Sequence, residues 1–552
     1  MIIQGAAGTS FGNLNPVLCN DSGCTDVVTF MFPSLIGVDP PSSSIQPNVD
    51  GALASDWTIS EDGLTYTFNF REGEYTWNDG TPISLVDVAF SFEAYLSGEN
   101  DSPVTDLYQF FISDVAVDEA TQTVSITFNE ATCENLRYAG VQIVPAHYWG
   151  VASVDEVEPF DYSVMDTDDF ATNPAISAGA FQFRELVEGE RIVLEANQNA
   201  PGAEAVIPEG YLYTLIPDQT VIVERFLAGE LNVIDTPQVA ERDRIRESAD
   251  HQFFEFAGNS WDYLALNFAD PENPRSAVYD TETNTVTGYT DIDGNEYDSE
   301  VPHPLFADTR VRRAIQHGID LDAIMERAVF GEGEVMASSV NPVAWSKSPD
   351  IQPIPYDPEM AMQLLNEAGW TMNDSGVLVN EAGEPFEFEL LTNAGNTRRE
   401  QIGELVQDQL GQLGITVDFV AIDFNQLLEV IDSQEWDAFI LGWLAAFPFN
   451  PDQTQLFSAS QDVVGTGNNA QSYYNPEFER LTREALTVPG CDIEERAAIY
   501  HQLEQILQDD QAYIWLFVQG GFYASSADID WGEGPFPNQL WWNVDEWTTS
   551  AN

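Results

Sequence analysis

The sequence predicts an α/β protein, and three observations carry that prediction. Helical and strand-like segments alternate through the second half of the 552 residues. Hydrophobic residues make up 43% and aromatics 12%, the composition of a folded chain with large cores. The longest apolar stretch, Ala438–Phe449, is too short to span a membrane and is broken by Gly and Pro. At about 100–200 residues per domain, the length suits two to four domains.

Taken in order, residues 1–50 read as loop with short apolar runs such as Val27–Phe32. Trp57–Phe70 alternates around Asp62-Gly63 and predicts a β-hairpin. Ser84–Leu96 predicts a helix, because Val86, Ala89, Phe90 and Ala94 are helix-spaced and Ser84 is a capping residue type. Val115–Phe128 predicts a strand pair turning at Asp118-Glu119, and residues 179–235 alternate strands with one helix, Gln219–Ala228. Pro271–Pro302 is polar, acidic and hairpin-like, an insertion by composition. Asp308–Ala328 predicts a helix bearing Arg310, Arg312 and Arg313. Pro358–Ala368, Arg399–Leu413, Phe478–Leu486 and Ile493–Gln508 predict further helices. Phe386–Leu391, Ile415–Val420 and Tyr513–Val518 predict strands.

The charge narrows the function. Asp+Glu number 92 against 19 Lys+Arg, a formal net charge of −73, and Lys347 is the single lysine. Such a field repels nucleic-acid phosphates and anionic membrane faces, so nucleic acid is not expected as a partner and a membrane only through a lipid anchor. Self-repulsion of this size destabilises a compact chain unless salt screens it. A saline working environment is therefore the expectation, with an acidic surface kept for solubility as the alternative.

The cysteines are Cys19, Cys24, Cys133 and Cys491. Cys19 and Cys24 enclose the turn-rich Asn-Asp-Ser-Gly and are candidates for a local disulfide, which needs an oxidising compartment. The alternative is that all four are small buried residues, and spacing leaves Cys133 and Cys491 undecided. The histidines His147, His251, His303, His317 and His501 never stand three or four apart, so no metal site is expected. Asp291-Ile292-Asp293-Gly294-Asn295 opens like a calcium loop but has Glu296 where glycine is needed and Pro302 at the terminal-Glu position, so a hairpin tip is the better reading. Gly8-Thr9-Ser10-Phe11-Gly12 fits a nucleophile elbow without its flanking strand and helix. No cofactor motif stands in its required context. Met1–Gln4 shows neither a basic n-region nor an h-region, so the chain either stays inside or has lost its leader.

An ordered set of segments resembles the extracellular solute-binding proteins of family 5, the receptors of peptide/nickel-type ABC importers. The set is Leu14-Asn15-Pro16 with Asp39-Pro40; Leu53–Trp57 with Asp62–Phe68 and Phe70-Arg71; Trp77–Pro82; Ser177–Phe181; Leu227–Leu231; Phe306–Ile315; Tyr356-Asp357-Pro358 with Leu364–Trp370; and Leu413-Gly414-Ile415. The resemblance implies a two-lobed periplasmic-binding-protein-like fold, type II, cluster C, with an extra subdomain in lobe I. Lobe I would comprise 1–50, the subdomain 51–172, 173–257 and the return 511–552; lobe II would span 258–510. It further implies a monomeric receptor without catalytic residues. Such a receptor is exported, often as a lipoprotein, with its leader and any lipid anchor upstream of Met1, and its partner is an ABC permease. The ligand is expected to be a peptide, with an oligosaccharide second, nickel third and a secreted hydrolase as the rival class.

The same resemblance places ligand contacts. Gly442-Trp443-Leu444 matches the segment whose backbone pairs with a bound peptide, and Trp443 would wall the pocket. The amine-binding Asp of peptide-binding members falls at Ala446, so that anchor is absent or moved to Asp452. Arg398 and Arg399 fall near the carboxylate-binding arginine of dipeptide binders; the alternative is a solvated helix face. Phe32-Pro33-Ser34, Trp261 and Trp345 fall where family loops face the ligand, with core or surface packing as the alternative.

Overall fold

A computed structural model describes residues 1–8, 11–39, 44–200, 206–297, 301–445 and 450–549; Thr9 and Ser10 of the elbow-like motif and Ala446 lie outside it. The N-terminal fifty residues depart from the loop reading. Ile2–Ala7 is a strand and Ser22–Met31 a helix. The β-branched run Val27-Val28-Thr29 is the half-buried end of that helix, because the Asp21 carboxylate accepts from Cys24 N at 2.9 Å and caps it, and because Val27, Val28 and Met31 are buried. Packing and a cap outweigh local propensity here. Cys19 and Cys24 form a disulfide beside the cap.

The chain divides into two units, residues 1–256 with 522–552, and residues 257–521. It passes between them inside two long strands, His251–Leu266 and Ile514–Ser526. The second divide lies at 521/522 rather than near Asp509-Asp510. Helix Ile493–Asp510 and the strand start both belong to the second unit, whose core holds Leu503, Leu507, Tyr513 and Trp515.

In the first unit, Ile2–Ala7 runs parallel to Gly210–Ile216 on one side and to Val233–Asp235 on the other. Arg191–Ala196 and Phe181–Val187 extend one edge, and residues 523–525 pair with Val233–Asp235 at the other. Helix Gln219–Leu227, capped by Asp218, packs its Ile222, Val223 and Phe226 on one sheet face with Ile216, Ile234 and Phe522. The expected hairpin is Ala54–Ile59 with Thr65–Phe70, turning at Gly63 with φ +75°. Thr123–Phe128 and Ile112–Asp118 complete a four-stranded antiparallel sheet. The helix Leu85–Leu96 starts as predicted, with Ser84 N donating to Asp87 Oδ2 at 2.8 Å.

In the second unit, Thr416–Ile422, Glu387–Asn393 and Ala438–Leu444 are parallel neighbours, and Ala438–Leu444 pairs antiparallel with residues 260–266. Helices Pro358–Glu367 and Thr397–Gln412 alternate with them as the sequence predicts. The helix expected over Asp308–Ala328 is two, Thr309–Gly318 and Leu321–Ala328, because Asp320 leaves helical geometry and accepts from Ala323 N at 3.0 Å to cap the second. The insertion forms the sheet Ser276–Asp280, Thr285–Thr290 and Glu296–Tyr297, with Tyr279 OH donating to Glu479 at 3.1 Å. Asp291 closes its tip by accepting from Asp293 N and Asn295 N, the hairpin reading of that acidic loop. Among the described residues no helix is long and apolar enough to cross a membrane.

Candidate ligand-binding site

Two strands of the second unit build the site. Trp443 lies opposite Trp261 and Gly442 opposite Asp262. Ala445 N donates to Asn259 O at 2.9 Å. By antiparallel alternation, Trp443 and Leu441 turn their backbone groups to that neighbour, while Gly442 and Leu444 turn theirs to the outer edge. On the outer side Glu387–Asn393 pairs only as far as Phe439, after which Thr392 Oγ1 donates to Ile440 O at 2.9 Å. Among the described residues the outer edge of Gly442–Leu444 has no strand partner.

A charge cluster sits against that edge. Asp262 is fully buried. Its Oδ2 accepts from Arg398 Nε at 2.7 Å, and its Oδ1 accepts from Arg398 Nη2 at 3.2 Å and Arg399 Nε at 3.1 Å. Arg399 Nη1 donates to Asn393 Oδ1 at 2.9 Å. Both arginines open the helix Thr397–Gln412, whose cap Asn396 accepts from Arg399 N. Burial pushes the Asp262 carboxyl up, but the two guanidiniums outweigh it and hold it below the ordinary carboxylate range. Burial likewise lowers Arg399, opposed by Asp262. Two guanidiniums face one carboxylate, so the cluster carries one surplus positive charge in a chain of −73. Their side chains keep 17% and 13% exposure, enough for a ligand carboxylate to meet the guanidinium fork. A Cβ at Gly442 would stand 2.8 Å from both Arg399 Nη2 and Asp262 Oδ1, so only glycine admits the pair against the strand.

The opposite face of the same two strands is aromatic. Trp443, half-buried, lies parallel to Tyr263 at 6.4 Å, and Tyr263 stacks on Tyr513 at 4.2 Å. Trp261 is 2% exposed and packs on Tyr263 and Trp515, so it is core beneath the site rather than a wall. Trp345, half-buried, has the Arg496 guanidinium 5.3 Å over its ring and meets Tyr500 edge-on. Its loop is held by Asn341 Nδ2 donating to Gly258 O at 3.0 Å and by Lys347 Nζ donating to Glu504 Oε1 at 2.7 Å.

Arg398, Arg399, Gly442, Trp443, Leu444 and Trp261 thus come together in the second unit, and Trp345 packs against the same core. Leu444 projects, 56% exposed. Asp452 is half-buried, and its Oδ1 accepts from Thr454 N and Thr454 Oγ1, a local turn. Phe32, Pro33 and Ser34 belong to the first unit: Phe32 is buried against Phe170, Pro33 O accepts from Ile143 N, and Ser34 O accepts from Leu53 N. Sequence reading missed Asp262 and Asn393. The signal for Asp262 was present, since it is the lone acid in the apolar run Trp261–Leu266. Among the described residues no group of His, Cys, Asp and Glu is placed to hold a metal.

Trp443→Ala is expected to abolish ligand binding in calorimetry while lowering Tm by only a few degrees, at about 2–4 °C per kcal/mol in domains of this size. Retained affinity with a large loss of Tm would make Trp443 a core residue only.

Two α/β units joined by two strands are the architecture of the two-lobed periplasmic-binding-protein class. The chain matches the bacterial extracellular solute-binding proteins, family 5 Middle, over residues 48–464 and belongs to that family. It is 26% identical over 538 residues to the oligopeptide-binding protein AppA of Bacillus subtilis (strain 168), covering 97% of this chain and 89% of the relative. It is 25% identical to heme-binding protein A of Haemophilus influenzae, covering 93% and 86%. The solved structure of AppA from Bacillus subtilis in complex with a nonapeptide superposes with a TM-score of 0.81 at 23% identity, covering 100% of this chain and 98% of that one, a likeness of fold.

Proposed function

We propose that this chain is the extracytoplasmic receptor of an ABC importer and that it binds a peptide or peptide-like ligand, which it hands unchanged to a membrane permease. The observation that carries this reading is the open outer edge of Gly442–Leu444 beside the Asp262–Arg398–Arg399 cluster. An extended ligand adds a strand there through main-chain hydrogen bonds, and the surplus positive charge takes its carboxylate. The oligopeptide-binding relative supports the ligand class; the heme-binding relative shows that sequence likeness at this level does not fix it. Lipid anchoring and a monomeric state complete the proposal.

A thermal-shift panel in molar salt tests it, with free, carboxyl-amidated and amino-acetylated peptides beside oligosaccharides. A ligand at 100 times its Kd adds about 2.7 kcal/mol, which a melt resolves. Free-carboxylate peptides are expected to shift Tm most and amidated ones less. A shift with sugars alone overturns the ligand class, and hydrolysed peptide in the mixture overturns the receptor reading.

A further inference from the structure

Neighbouring strands of the first unit place a polar aromatic set on one sheet face. The register sets Tyr211 against Ile2, Tyr213 against Gln4, Gln4 against Val233, and Asp235 against Tyr523. Side chains alternate along strands, so Tyr211, Tyr213, Gln4, Asp235 and Tyr523 share a face, and the apolar Ile216, Ile234 and Phe522 take the other. The helix Ser22–Met31 lies over the polar face. Phe30 is 4.9 Å from the Tyr211 ring, and a Cβ on Gly23 would stand 3.6 Å from the Tyr213 hydroxyl. Asp26, three residues after Gly23 and four before Phe30, is on that same side of the helix.

Two groups in this space have no hydrogen-bond partner among the described residues. Tyr213 is 4% exposed, yet its hydroxyl is unbonded, whereas Tyr211 OH donates to Gln4 Oε1. The carboxylate of Asp26, half-buried, is unbonded as well. Among the described residues Asp235 accepts from Thr236 Oγ1 at 2.7 Å, and Asp21 is occupied as the helix cap. Arg242, whose charge acts on Asp235, donates Nε–H to Pro237 O and lies over the Phe522 ring, which belongs to the opposite sheet face.

We infer that this face of the first unit is a cation site, in which Asp26 and Asp235 take an ammonium or guanidinium group beside Tyr213 and Tyr523. The inference deepens the receptor reading above and rests on it for the ligand's identity. Asp235 reaches solvent and Asp26 is half-buried, so both acids are accessible to a solute at this face. Burial, then the charges of Asp235 and Asp21, pushes the Asp26 carboxyl up to about 8. An organic cation answers the acids by charge and the rings by cation–π contact, with the Tyr213 hydroxyl as a further acceptor.

The probe is n-butylammonium chloride replacing NaCl at fixed ionic strength, with Tm of the full chain as the readout. A saturable rise is expected in the native chain, lost in Asp26→Asn/Asp235→Asn and weakened in Tyr213→Phe. An equal curve in native chain and double variant overturns the subsite, and a larger rise with NaCl or CaCl2 alone makes it an inorganic-cation site instead. The second arm compares end-blocked Ala-Lys-Ala with its norleucine analogue by calorimetry. At least tenfold preference for the lysine peptide, lost in the double variant, supports the subsite. Equal binding of both overturns it with the receptor reading intact. A butylammonium effect without any peptide binding keeps the subsite and overturns the peptide ligand.

Discussion

Asp262→Asn is expected to lower stability by about 3–5 kcal/mol, the usual cost of removing one partner from a buried ion pair. The reason lies in the charge count. Asp262 is fully buried and serves Arg398 and Arg399 together. An amide oxygen keeps a hydrogen bond but neutralises nothing, so two adjacent guanidiniums stand beside the strand with no counter-charge. Replacing the whole group with Asp262→Leu, Arg398→Met and Arg399→Met is expected to recover most of the loss, because an apolar set needs no desolvation of ions. Denaturant unfolding followed by tryptophan fluorescence reads both variants, since Trp261 and Trp443 lie on the two strands that carry Asp262 and Gly442. A single variant within about 0.5 kcal/mol of the native chain contradicts the burial argument.

Raising NaCl from 0.1 to 2 M is expected to raise Tm by roughly 10 °C, the shift that about 3–5 kcal/mol produces in domains of this size. With 92 acids and 19 bases, most carboxylates lack a cation, and several arginines already serve two acids. Arg480 bonds Glu477 and Glu484, and Arg244 bonds Glu224 and Glu241. What remains is repulsion, whose range falls from about 10 Å at 0.1 M to about 3 Å at 1 M salt. Acidification works in the same direction. Burial pushes Glu479 up to about 7 and Asp432 up to about 6. Raised carboxyl groups bind protons in the folded state first, so their contribution is fully present below the unfolded values near 4 and is lost as pH rises through 6 to 7. Tm at low salt should therefore rise as pH falls from 8 toward 5.5. A melt insensitive to salt between 0.1 and 2 M would return the acidic composition to a solubility device.

Much of the fold was legible because its signals are local. The Asp62-Gly63 turn, the Ser84 cap and the alternation from Pro358 to Val420 each depend on residues a few positions apart. The misread segments depend on distant partners. The helix Ser22–Met31 carries strand-like text and is fixed by Asp21 and by its seat on the first unit's sheet. The break at Ile319-Asp320 hides within a continuous helical pattern and shows only through the Asp320 cap. The candidate site was half legible for the same reason. Arg398, Arg399 and Gly442-Trp443-Leu444 stand out in the sequence, but Asp262 lies 136 residues from Arg398 and meets it only through the pairing of two strands.

The central claim is that a ligand adds to the outer edge of Gly442–Leu444. Amide hydrogen exchange at single-residue resolution, with and without a saturating peptide in molar salt, tests it most directly. The Gly442 and Leu444 amides are expected to slow markedly on binding, while the Trp443 amide, already bonded inward, changes little. Peptide binding with Gly442 and Leu444 still exchanging at their free rates would contradict it.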